Sequence, residues 1–160
     1  MYIEKVARRI EGILAAPETN LFLFGFLLHF VYEVWQSPYF EFYRMPTLAD
    51  KVSYITHCTV GDGVITVISG GVVSWVDRSR SWILRPTWRA MILFTSLGWF
   101  YTFISEIYRI RIAKLYGVST LVVPIVEISW LPLLQWIIIP PLVLYMSRKH
   151  ILGYQKNRSS

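Results

Sequence analysis

The sequence predicts an all-α polytopic membrane protein, a single domain over 1–160 made of a four-transmembrane-helix bundle behind an N-terminal amphipathic helix. Three observations carry this. Hydrophobic residues make up 54% of the chain and the mean hydropathy is +0.45, too apolar for a water-soluble chain of 160 residues. The apolar residues gather in long blocks rather than at the spacing of surface helices. The 16 Lys and Arg residues stand at the ends of those blocks, where membrane topology and anionic headgroups account for them. The net charge of +6 is therefore membrane charge, and no nucleic-acid partner is expected.

Taken in order, residues 1–17 place Ile3, Val6, Ile10, Ile13 and Leu14 at helical spacing with Lys5, Arg8 and Arg9 opposite, the pattern of an interfacial helix. Pro17 ends it, and Thr19 or Asn20 is placed to cap the next helix. The first span covers about 20–36. A loop with Pro38, Pro46 and many aromatics leads to the second, about 52–76, whose Gly61, Gly63, Gly70 and Gly71 predict close helix packing. The basic connector DRSRSWILRPTWR precedes the third span, about 90–110. In the following stretch, RIAKLYGVSTLVVPIVEIS, the run LVVPIV is too short to cross hydrocarbon. It reads as an interfacial loop over the outer end, with a re-entrant segment as the alternative. The fourth span covers about 130–146, with Pro132 in its first turn and a kink expected at Pro140-Pro141, before a basic tail over 147–160.

Two further constraints follow. Cys58 is the sole cysteine, so no intrachain disulfide or thiol-pair metal motif exists. The first strongly apolar run starts at Leu21, after Glu4, Glu11 and Glu18, so insertion is expected to use the first span rather than a cleaved signal peptide. Lys and Arg number eleven in the N-terminal segment, the second connector and the tail, against five in the other two loops (Arg44, Lys51, Arg109, Arg111, Lys114). The positive-inside rule then places both termini in the cytoplasm.

The stretch LFLFGFLLHFVYEVWQ carries the main functional signal. His29 and Glu33 are four residues apart, so they stack on one helix face, and Gln36 continues it. Ionisable groups cost roughly 2.5–3.5 kcal/mol each inside a membrane span, so a pair on one stripe is a candidate site. The other spans add polar groups in the same outer half: His57 and Asp62 on the second, Tyr101 and Glu106 on the third, Gln135 and Trp136 on the fourth. A mid-span aspartate such as Asp62 needs a partner or a proton. His57 and Asp62, five apart, point roughly 140° from each other. Two chemistries fit: an acid–base set of His29, Glu33 and Asp62 in a dry pocket, or His and carboxylate ligands for a metal. The metal and any cofactor stay unassigned, since HxxxE is no recognised ligand spacing.

Two resemblances enter at these residues. The runs HFVYEVWQSPYF, HCTVGD, YTFISE and WLPLLQWIIIPPL resemble those of a family of small four-span bacterial membrane proteins. That resemblance implies the span count and a bacterial inner membrane, and no activity. More distantly, the chain resembles the EXPERA domain of the emopamil-binding sterol isomerases. The correspondence lies in His29, Glu33 and Trp35, in Pro86 and Arg89, in Ser96-Leu97-Gly98 with Tyr101, and in Trp136 with Pro140. It implies acid–base roles for His29, Glu33 and Asp62, and a Trp136 that faces a cationic or polarised ligand. The chain departs from that family in its shorter acid, Asp62, and in Leu133, where the isomerases carry asparagine.

The leading expectation is a pocket for a membrane lipid or other lipophilic small molecule, with proton-transfer isomerisation as its reaction. His29, Glu33 and Asp62 would act on the proton; His57, Tyr101, Glu106, Gln135 and Trp136 would bind ligand. The alternatives are a non-catalytic subunit that packs against other membrane protein subunits, and a membrane metal-binding protein.

Overall fold

The computed structural model describes residues 5–6 and 12–159, and 78% of these described residues are helical. Four long helices dominate: α1 (Pro17–Gln36), α2 (Leu48–Val76), α3 (Trp88–Ile107) and α4 (Trp130–Ser159). Among the described residues, three stretches are long and apolar enough to cross a membrane: Leu48–Val76, Trp88–Ile112 and Trp130–Lys156. α1 is not among them, because Glu18, Asn20, His29, Glu33 and Gln36 dilute its apolar residues. The expected amphipathic helix over 1–17 lies largely outside the described residues.

Local sequence explains most helix ends. Pro17 begins α1 rather than closing a preceding helix, since its fixed φ and missing N–H suit a first turn. No side chain caps α1; Asn20 instead donates to the carbonyls of Leu14 (2.7 Å) and Ala16 (2.8 Å), and is buried there. Thr47 and Asp50 form a reciprocal capping box on α2, and Thr87 caps α3 through the Ala90 N–H. α4 runs on through Pro140 and Pro141 to Ser159, past the expected end of the fourth span.

The helices pack as a ring in which α1 meets α2 and α4, and α3 meets the same two. Of the second span's glycines, Gly63 and Gly70 lie against Phe22 and Leu21 of α1, whereas Gly61 and Gly71 face open space. The ring has two unlike halves. Around the start of α1, the end of α2, the start of α3 and the later part of α4, an apolar core gathers Leu21, Val73, Ile83, Phe94, Ile139 and Val143. The other half holds the polar side chains.

Loops close that polar end. β1 (Phe40–Glu41) pairs antiparallel with β2 (Gly117–Val118), in register Phe40 with Val118 and Glu41 with Gly117. Ser119 adds bonds from its N–H and hydroxyl to the Tyr39 carbonyl. A π-helical turn, Tyr108–Ile112, ends α3, and Arg111 pairs with Glu127 across the following segment. The segment before α4 is irregular, with Leu121, Ile125 and Glu127 at positive φ.

Candidate functional site

Each helix brings one polar stripe to the loop-covered end. On α1, His29 is fully buried and Gln36 nearly so, seven residues apart and on one face with Glu33 between them. α2 supplies Asp62, with 15% of its side chain exposed. α3 supplies Glu106 and α4 supplies Gln135, both buried.

Gln135 joins three of these groups. Its amide nitrogen lies 2.6 Å from His29 Nδ1 and 3.5 Å from Asp62 Oδ2, and its oxygen accepts from Gln36 Nε2 at 3.4 Å. An amide nitrogen only donates, so His29 Nδ1 accepts and the ring is the neutral Nε2–H tautomer. Asp62 Oδ2 stands 3.6 Å from the same Nδ1, close enough to pair with the ring once it gains a second proton. Trp136 forms the other wall, fully buried, its ring centroid 4.8 Å from that of His29.

A second cluster joins the end of α3 to the segment that follows it. Tyr116 donates to Glu106 Oε1 at 2.6 Å, and Arg109 reaches the same oxygen at 3.8 Å. Burial pushes the Tyr116 phenol well above its usual range, and the neighbouring Glu106 carboxylate adds to this. It therefore stays an O–H donor at neutral pH. Between the clusters is a cavity of about 30 Å³ lined by Glu33, Gln36, Tyr54, Cys58, Glu106, Arg109 and Tyr116, with Phe40 and Phe42 from the loop. It has room for about two water-sized groups. Gln36 Oε1, Tyr54 OH and Glu106 Oε2, all on lining residues, are buried and have no hydrogen-bond partner among the described residues. Buried polar atoms are rarely left so, and three around one cavity mark a place for a small polar group.

Of the expected site residues, the structure brings together His29, Asp62, Gln135 and Trp136, and lines the adjoining cavity with Glu33 and Glu106. It does not bring His57 or Tyr101 there. Both are exposed, because each stands five residues from the inward acid of its helix, Asp62 or Glu106, and so points about 140° away. Neither lines the cavity. Sequence reading missed Arg109, Tyr116 and Tyr54. Arg109 was counted as a loop charge, although its spacing of three from Glu106 puts both on one helix face. Tyr116 has no periodic signal, since it arrives from an irregular loop. Among the described residues, no group of three His, Cys, Asp or Glu side chains is arranged to hold a metal ion.

Comparison with protein-family models, curated proteins and solved structures gives no match. The functional reading therefore rests on this geometry.

Proposed function

We propose that the protein is a four-span membrane protein, with α1 as the fourth crossing, that binds a lipophilic molecule at its loop-covered end and moves a proton there. One observation carries this: polar side chains of α1, α2, α3 and the segment after α3 line one cavity beside the His29–Gln135–Asp62 cluster, in a chain whose other half is apolar. His29 offers Nδ1 as a proton acceptor, and Asp62 stands ready to stabilise the imidazolium. Glu33 lines the cavity on the same face of α1. The resemblance to the sterol isomerases assigns acid–base roles to these same three residues.

The cavity limits what can enter. Ordinary small-molecule sites occupy about 300–1,000 Å³, so about 30 Å³ admits a polar head and no hydrocarbon body. An apolar groove of about 370 Å³ runs between α1 and α4 past Leu28, Tyr32 and Ile139. It supports a head-in arrangement with the hydrocarbon held between these helices or in the bilayer.

Native mass spectrometry of the detergent-purified protein tests the proposal. The wild type is expected to retain a lipophilic molecule, and Glu33→Gln to keep the fold and lose it. That swap keeps shape and hydrogen-bonding capacity while removing the titrating proton. A Glu33→Gln protein that melts like wild type and keeps its full ligand complement sinks the proposal, as does a wild type that carries no such molecule and appears only in a larger assembly.

The proposed orientation, both termini cytoplasmic in a bacterial inner membrane, has its own check. A cysteine placed at Ser79 should stay unlabelled by an impermeant thiol reagent in intact cells, and periplasmic labelling there reverses the topology.

A further inference from the structure

The end of the molecule opposite the polar cavity carries a second feature, independent of the site above. Between the end of α2 at Val76 and the start of α3 at Trp88, the short helical turn Arg80–Leu84 borders an open groove of about 760 Å³. Arg85 and Arg89 line it, with hydroxyls from Ser79, Ser81 and Thr87 and a single opposing acid, Asp77. The ion pairs of the described residues join His29 to Asp62, Arg80 to Glu18, Arg109 to Glu106 and Arg111 to Glu127. Arg85 and Arg89 belong to none of them, and both are exposed. Two guanidinium groups left unpaired in a concave, hydroxyl-lined wall match the chemistry of a phosphate group.

Depth decides which phosphate. Two apolar helices long enough to cross a membrane end at this groove, one on each side. Its level is therefore that of the headgroups. Trp88 lines the groove at 73% exposure, and Trp75 is 80% exposed in the last turn of α2. Exposed tryptophans at span ends are anchors at the membrane–water boundary. We propose that this groove binds the headgroup of an anionic phospholipid, with Arg85 and Arg89 on the phosphate, the hydroxyls beside them and the acyl chains along the outer faces of α2 and α3.

The test is native mass spectrometry of protein equilibrated in micelles that contain equal amounts of phosphatidylglycerol and phosphatidylcholine. A basic residue near an anionic surface is worth about fivefold in binding. Wild type should retain phosphatidylglycerol in clear excess, and the double variant Arg85→Gln with Arg89→Gln should lose that preference by about thirtyfold. Arg78→Gln, at the same end but off the groove wall, should cost no more than about that general fivefold. Millimolar inorganic phosphate should not displace the lipid. The proposal is overturned by a wild type with no preference, by a double variant that keeps it, or by an Arg78→Gln loss as large, which would mean diffuse surface charge. It is equally overturned if inorganic phosphate competes on equal terms, since the groove would then take free phosphate.

Discussion

Replacing Arg109 by leucine should cost about 3 kcal/mol of stability, and adding Glu106→Gln to that variant should return most of the loss. Glu106 is 3% exposed, and its Oε1 takes both the Tyr116 hydroxyl and the Arg109 guanidinium. Removing one partner of a buried ion pair leaves the other charge uncompensated, which typically costs 3–5 kcal/mol. Because 27% of the Arg109 side chain is exposed, the lower end applies. Glutamine at 106 keeps an oxygen for Tyr116 while removing the stranded charge. Thermal melts of Arg109→Leu, Glu106→Gln and the double variant form a cycle, with an expected coupling of about 2 kcal/mol. If Arg109→Leu melts like wild type, the pair contributes nothing and Arg109 belongs with the loop charges after all.

That outcome bears on how far a sequence of this kind can be read. Helix positions were legible because apolar blocks are local signals, but helix starts were not: Thr47 and Thr87 cap α2 and α3 without having been singled out, and the expected cap at Thr19 or Asn20 is absent. Inward faces were legible only in part. Spacing of four stacked His29 with Glu33, but His57 was included by depth and Tyr101 by depth and the sterol-isomerase resemblance, and depth does not set azimuth. Once Asp62 and Glu106 face inward, helix geometry excludes residues five positions away. The cavity's cover was the least legible part. Phe40, Phe42 and Tyr116 come from short β pairing and irregular backbone, where no period says which side chain points in. Charge was misleading there too: a basic residue at a span end usually marks topology, and Arg109 looked like one until its Glu106 contact was seen.

Gly98→Ala should be the most damaging single methyl group in the helices. A Cβ at Gly98 would overlap the indole carbons of Trp136, where α3 crosses α4. Trp136 is fully buried, and its ring lies tilted 4.8 Å from that of His29, so displacing it disturbs the histidine that Gln135 holds. Overpacking usually costs 1–3 kcal/mol, and a rigid ring against backbone puts this site near the top, about 3 kcal/mol. Gly61→Ala and Gly71→Ala are the controls. A Cβ at either meets nothing within 4 Å, and alanine favours a helix over glycine by about 1 kcal/mol, so both should melt at or above wild type. Adding Trp136→Phe to Gly98→Ala should recover part of the loss, since the smaller ring vacates the space the methyl needs. The readout is thermal stability beside retention of the co-purifying molecule, because a displaced His29 should weaken both. A Gly98→Ala protein that melts like Gly61→Ala would place the α3–α4 crossing elsewhere and remove Trp136 as the wall that holds His29 in position.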